Sequence, residues 1–373
     1  MRIKSLIAIH FLYNIKFNSF VSILLIIFEK EVILSNFKLL TIIVLCLLVT
    51  LSGNDSEARS TKYCLKMATL APKTVGWARH IRKIMHPAIK KATDGHVKLK
   101  WYWGGVMGDD RDYVQKMQIG QLDGAALSGQ GVVLACPEMA VVELPFMFEN
   151  YEEVDYIRKE MRDEFDQIAS QNGYKIFIWA DQDFDQIYSV KYEMSQLSDF
   201  KKASILTWYG DLEMSLLSEL GSDPIPVTVP EISSSIRQGI VDTLIAPSVW
   251  VIGSQMYTIM KYVNPVKIRY SPAAAFITLK SWNNIPTKYH KKLLKLRDTA
   301  AIKFCDKCRK DSIKAYKAMI KYGIKESIMT PTVLADFQSR TKKIWYDLVD
   351  KKYQRKTLEK LISHLEHYRK THK

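Results

Sequence analysis

The order of patterns along this chain predicts an α/β fold built as two similar lobes. Two observations carry that reading. Strand-like alternation and helix-like spacing take turns from Tyr63 to Ala246, with paired strand–helix segments in both halves. Beyond Trp282 the pattern becomes helical and strongly basic.

The first 58 residues are set aside from the fold. Leu39–Leu51 is an apolar run preceded by Lys38, and the polar stretch after it ends in small residues at Ser56 and Ala58. That is the layout of a secretory signal cleaved after Ala58. The run is short for a membrane span. An uncleaved N-terminal anchor is the alternative, given a second apolar stretch at Phe20–Phe28.

The elements then follow in order. Tyr63–Leu70 reads as a strand and Gly76–Ala92 as a helix, with Trp77, Ile81, Ile84, Met85 and Ile89 at helical spacing. Val97–Trp103 alternates as a strand and stops at Gly104-Gly105. Asp110–Ile119 is a helix closed by Gly120, and Gly124–Leu127 is a short strand. This series predicts a mostly parallel sheet. A helix over Tyr151–Ser170 precedes a buried strand at Tyr174–Ala180, and Ile187–Lys191 is a separate strand. Ile205–Trp208 and Val241–Ala246 are strands, with helices at Asp211–Leu220 and Glu231–Gln238 between them. Two long basic helices, Thr287–Tyr322 and one from Thr332 to about Lys370, complete the chain.

Charge and composition exclude several classes. With 47% hydrophobic and 25% charged residues, the 373-residue chain is neither disordered nor fibrous. Its net charge of +15 is unevenly placed. Residues 59–280 hold 25 basic and 26 acidic groups, and residues 281–373 hold 24 and 9. A nucleic-acid groove in the neutral body is therefore not expected. The basic strip suits a solvated face, or docking to an anionic membrane surface or an acidic protein face.

Catalytic motifs are missing: the chain has no G-x-S-x-G, P-loop, H-E-x-x-H or G-x-G-x-x-G. Its histidines are not spaced for a metal, so neither metal nor cofactor is expected. Cys305 and Cys308 form a C-x-x-C on a helix, read as helix-face thiols or as partners of Cys64 or Cys136. Asp183 and Asp185 are the only acid pair available to an enzyme, and a solvated loop accounts for them better. Trp208 at a strand end is a better candidate for a ligand wall, because open α/β sheets bind ligands there.

The motif order from residue 63 to 330 resembles the extracytoplasmic solute-binding proteins of tripartite ATP-independent periplasmic (TRAP) transporters, the DctP type. The stretch Val114–Leu127 looks like that family's helix-Gly-strand element. Glu143–Val154 looks like its "lPFlF" element, and Leu197–Ile205 like its "DLkGlKiR" approach to the hinge. Glu219–Ser248 looks like "lGa.pv.m...e.y.alq.GviDG.enp", and Ser281–Leu294 like the start of the closing helices. The resemblance implies a two-lobed periplasmic-binding-protein fold, type II-like, with long C-terminal helices packing across the lobes. Residues 59–183 would form mainly lobe I, and residues 184–280 mainly lobe II with hinge-crossing strands. It implies a periplasmic receptor, not an enzyme, that closes on a small solute and delivers it to membrane permease subunits.

The chain departs from that pattern where the family grips a carboxylate. The arginine ending "DLkGlKiR" corresponds to Leu206. A helper arginine falls in the acidic stretch Asp181–Asp185, and the Glu-Asn pair of "DG.enp" becomes Ile245-Ala246. A C4-dicarboxylate would lose its charge-assisted partner. The resulting expectation is an apolar or amphipathic solute, cationic if it meets Asp183 or Asp185. Its wall would comprise Trp77, Phe146, Leu206, Trp208, Ile245, Ala246, Trp250 and Phe276. The alternatives are an ordinary carboxylate receptor with a relocated basic anchor such as Arg111, and an envelope interaction module without transport.

Overall fold

The computed structural model describes residues 63–74, 76–208 and 210–372. The signal segment with its cleavage point after Ala58, and Tyr209, lie outside the described residues. Thr61–Lys373 forms one compact unit.

The first three strands are β1 (Tyr63–Thr69), β2 (Val97–Tyr102) and β3 (Gly124–Ser128). β1 lies between the other two and is parallel to both. In β2, Val97 and Leu99 are buried while Lys98 and Lys100 are exposed, so period-2 alternation decides which face meets the core. The helix linking β1 to β2 runs over Gly76–His80, a π-helical turn Ile81–Met85, and His86–Ala92. Pro87 has no N–H for the helical ladder, and the π turn lies just before it.

Two long strands organise the molecule. β4 spans Tyr174–Ser189, and β8 spans Tyr262–Thr278. At about 3.3 Å per residue each is about 50 Å long. They pair antiparallel along most of their length. One end of β8 also pairs antiparallel with β3, and the far end of β4 pairs antiparallel with β7 (Thr243–Pro247). The sheet order is β2-β1-β3-β8-β4-β7. Parallel pairing therefore holds within β1–β3, but the two spanning strands break the mostly parallel sheet expected from the sequence. A small parallel pair, β5 (Leu206–Thr207) with β6 (Ile225–Pro226), completes the far half.

The acidic stretch Asp181–Gln186 is not a loop. It is the middle of β4, with Asp181, Asp183 and Asp185 all buried. Each finds a partner distant in sequence. Asp181 accepts from Arg158, from Arg309 Nε (2.6 Å) and from Tyr270 Oη (2.7 Å). Burial alone would raise its pKa, but Arg158 and Arg309 hold it below the usual carboxylate range. Asp183 accepts from Tyr151 Oη, and Asp185 accepts from Arg269 Nε at 2.8 Å.

The helix Ala300–Tyr322 packs on β4, on Gly76–His80 and on Ser248–Gly253, so it ties the two halves together. A short 3-10 turn at Lys295–Asp298 separates it from Thr287–Leu294. The single long helix expected after Thr332 is three: Pro331–Lys342, Ile344–Asp347 and Arg355–Thr371. Asp350 sits in the break with φ +61. Leu358, Leu361 and Leu365 of the last helix enter the main core. Arg369 grips the buried Glu153 bidentately (2.6 and 2.8 Å), and Trp345 Nε1 donates to Pro145 O (2.9 Å).

Candidate functional site

A cleft of about 1360 Å³ opens where the strand ends of the two halves meet. One wall comes from the segment after β1 (Leu70–Pro72), from Trp77, from Gly104-Gly105 after β2, and from Ser128 and Gln130 after β3. These are the carboxyl ends of parallel strands, where open α/β sheets leave room for a ligand. Gly104 and Gly105 both take positive φ (+68 and +78), which keeps that turn tight. The opposite wall comes from Thr207 and Trp208 after β5, from residues 226–231 after β6, and from Trp250 and residues 252–255 after β7. Gln182 of β4 and Asp311, Lys314, Ala315 and Ala318 of the long basic helix also line the cleft.

Of the ten residues expected at the site, eight on the wall with Asp183 and Asp185 beside them, three meet there. Trp208 and Trp250 pack edge to face, with centroids 4.4 Å apart. Trp77 lines the other side and rests its ring against Phe304 at 5.5 Å. The remaining seven lie away from the cleft lining. Leu206 is fully buried in the core of the far half with Tyr188, Leu244 and Ala246. Strand alternation explains the difference: Thr207 and Leu206 are neighbours, so their side chains take opposite faces and Thr207 meets the cleft. Ile245 and Phe276 are fully buried in the main core. Phe146 packs edge to face on Phe337 (5.1 Å) under the C-terminal helices. Asp183 and Asp185 are held inside β4 by the partners named above.

Besides Arg111, which the sequence offered as a basic anchor, the cleft has polar groups that the sequence did not single out. Asp110 lies at the start of Asp110–Gln118, and its Oδ2 accepts from Ser128 N (3.0 Å) and Ser128 Oγ (2.8 Å). Burial pushes its carboxyl up to about 7, against the pull of those two hydrogen bonds. Arg79 Nη2 donates to Asp311 (3.0 Å), with His80 on the same oxygen at 2.8 Å. Arg111 lines the wall and is exposed. The signal that could have found this wall was the pairing of each predicted strand end with a Gly- or Pro-containing loop.

Close to the second wall lies a buried ionic cluster. Arg269 is 1% exposed. Its Nε reaches Asp185 Oδ2 (2.8 Å) and its Nη2 reaches Glu213 Oε1 (3.2 Å). Glu213, fully buried, also accepts from Thr207 Oγ1 (2.7 Å) and Trp208 N (3.0 Å) through Oε2. Burial raises Asp185 to about 7 despite Arg269. It raises Glu143 to about 8, with Arg269 opposing and Asp185, Glu213 and Asp110 adding to the rise. Among the described residues, no three or more His, Cys, Asp or Glu are grouped to hold a metal ion. Cys305 and Cys308 are buried free thiols, as is Cys136, so none of the pairings considered for them forms.

Two halves joined by long strands, a helix tying them together, and a cleft between strand ends define the two-lobed periplasmic-binding-protein class. The galactonate complex of the sugar acid binding protein DctPAm from Advenella mimigardefordensis has the same fold. Its TM-score is 0.76 at 16% identity, covering 82% of this chain and 98% of that one. The chain belongs to the bacterial extracellular solute-binding protein family 7 (DctP), whose model matches residues 69–352. That family and its structural neighbours are solute-binding receptors, not enzymes. Among curated relatives, the uncharacterized protein YiiZ of Salmonella typhimurium is 24% identical over 156 residues, 41% of this chain and 48% of that protein. The sialic acid-binding periplasmic protein SiaP of Vibrio cholerae is 23% identical over 202 residues, 52% of this chain and 60% of that protein. The match thus spans about half the length of these relatives. Among the described residues, no helix is long and apolar enough to cross a membrane.

Proposed function

We propose that the chain is the periplasmic receptor of a TRAP-type secondary transporter, that it closes on a small apolar or amphipathic solute, and that it passes the solute to membrane permease subunits. The observation that carries the solute class is the pairing of a tryptophan-walled cleft with a fully buried Leu206 at the place of the family's arginine. Aromatic walls bind apolar bodies by area and leave orientation to a few polar groups. Here those groups are Gln130 and Gln182, with the hydroxyl oxygens of Ser128 and Thr207 as acceptors, their protons being given to Asp110 and Glu213. Asp183 and Asp185 lie off the cleft lining, so a cationic group on the solute would meet Asp109, Asp211 or Glu231 instead.

Arg111 favours a second reading. It is an exposed cation on the cleft wall, and two of the proteins named above bind acids, DctPAm galactonate and SiaP sialic acid. A carboxylate held by Arg111 would make the chain an ordinary acid receptor with a relocated anchor.

Secretion through a cleaved leader belongs to the same proposal. So does docking by the basic helix. Lys303, Lys307, Lys310, Lys314, Lys317 and Lys321 recur at three- and four-residue spacing on its exposed side, and Lys314 also lines the cleft. An acidic permease face fits such a strip at the cleft edge better than a lipid surface does. Native mass spectrometry of the purified protein tests the solute class. A non-acidic co-purified molecule supports the proposal. A sugar acid or dicarboxylate that is lost on Arg111→Ala refutes it in favour of the relocated anchor.

A further inference from the structure

We propose that Glu213 is an internal carboxylate that fills an anion pocket behind the cleft wall, and that it thereby sets the cleft against acidic solutes. The inference rests on the receptor reading above for its functional consequence only.

The donor set around Glu213 is the one proteins assemble for a bound carboxylate: a guanidinium, a hydroxyl and a backbone N–H. Arg269 Nη2 reaches one oxygen at 3.2 Å, and Thr207 Oγ1 and Trp208 N reach the other at 2.7 and 3.0 Å. Glu213 and Arg269 are 0% and 1% exposed. Thr207 and Trp208 themselves line the cleft. The Thr207 hydroxyl proton and the Trp208 backbone N–H are thus given to Glu213 and not outward to a solute.

Helix capping alone does not account for this arrangement. Glu213 is the third residue of Asp211–Glu219, where a capping-box glutamate would reach back to the N–H of the preceding cap residue, Gly210. Its side chain instead goes to Trp208, two residues further upstream, and to an arginine from β8. Arg269 also faces Asp185, its register partner on β4. A solute carboxylate arriving at Thr207 and the Trp208 backbone would thus find the hydroxyl and the N–H already turned to Glu213, with that carboxylate directly behind them. A neutral solute meets no such penalty. Glu213 is in this sense a specificity-determining residue that never touches the solute.

Chemical rescue tests the inference. Glu213→Ala in the full chain vacates the pocket, and sodium acetate or formate is compared with sodium chloride at equal ionic strength. We expect acetate to raise the melting temperature of Glu213→Ala by about 3 °C while leaving the unsubstituted protein unmoved. Glu213→Gln keeps the shape and leaves no room, so it should show no acetate response. Succinate should bind Glu213→Ala at least about tenfold more tightly than the unsubstituted protein, by calorimetry. Equal effects of acetate and chloride on Glu213→Ala overturn the inference, and so does an acetate response in Glu213→Gln. If Glu213→Ala does not fold in chloride, its refolded yield with acetate becomes the readout. No gain there, with Glu213→Gln folded, also overturns it. Rescue can fail while the receptor reading stands, because no step of this test depends on the natural solute.

Discussion

Replacing Glu143 with glutamine should change how stability depends on pH, and in a direction that the buried cluster fixes. Glu143 is 2% exposed, and its carboxyl is raised from 4.5 to about 8, first by burial and then by Asp185, Glu213 and Asp110, with Arg269 opposing. A carboxyl raised by folding is held protonated in the native state while the unfolded chain has already lost its proton. Between pH 4.5 and about 8 the native state therefore binds more protons than the unfolded state. Stability must then fall as pH rises through that window, by at most about 1.4 kcal/mol per pH unit from this one group. Across the window the loss comes to roughly 5 kcal/mol, an upper figure for a group coupled to three other carboxylates.

Glu143→Gln removes the titration and keeps the shape. Urea unfolding at pH 5, 6, 7, 8 and 9 gives the difference between variant and parent at each pH. It should be small at pH 5, grow steadily to about pH 8 in favour of the variant, and then level off. Asp110 and Asp185, both raised to about 7, contribute the same sign in both proteins, and removing the Glu143 charge lessens their rise, which adds to the difference in the same direction. A difference that does not vary with pH would refute the reasoning, because Glu143 would then carry the same charge in the folded and unfolded chain.

Two further outcomes follow from the same structure. Arg269→Met leaves Asp185 and Glu213, both fully buried, without their guanidinium, and should cost about 3–5 kcal/mol by urea unfolding. Leu361→Ala empties a fully buried position under the last helix and should cost about 2–5 kcal/mol, read by the same method.

The fold class was legible because it is written in local pattern and in motif order. β1, β2 and β3 fall within a residue or two of where alternation places them. The two spanning strands were not legible, for a reason that lies in their partners. The middle of β4 carries three aspartates in five residues, which reads as a solvated loop until Arg158, Arg269 and Arg309 are brought to it. β8 contains Pro265 and Pro272, which argue against a central strand. Each sits where a proline can be accommodated. Pro272 pairs with Asp181 of β4 but lies one residue outside the register with β3, which begins at Ala273, and Pro265 lies in the irregularity between Asn264 and Arg269. The tryptophans of the cleft were legible as aromatic strand and helix ends. The neighbouring residues were not, since a motif match fixes a position in the chain but not the face its side chain takes, and Leu206 lies one residue from a cleft-lining threonine.

Leu206 is best understood together with its surroundings. A long cation at that position would have to cross the packing of Tyr188, Leu244, Ala246 and Val251, all fully buried. Ile245 and Ala246, which stand where the family has a polar pair, are equally buried. Leu206 and Ala246 belong to the core of the far half and Ile245 to the main core, so all three positions are filled by apolar packing. The charge has not vanished from the region, because Arg269 supplies a buried guanidinium there. It is answered inside the protein by Asp185 and Glu213, and the cleft face above them is left to tryptophan. A lobe that carries its own carboxylates against its own arginine gains little from a further carboxylate brought by a solute, and that internal pairing adds a second physical reason for the solute class to the tryptophan-walled cleft and the buried Leu206.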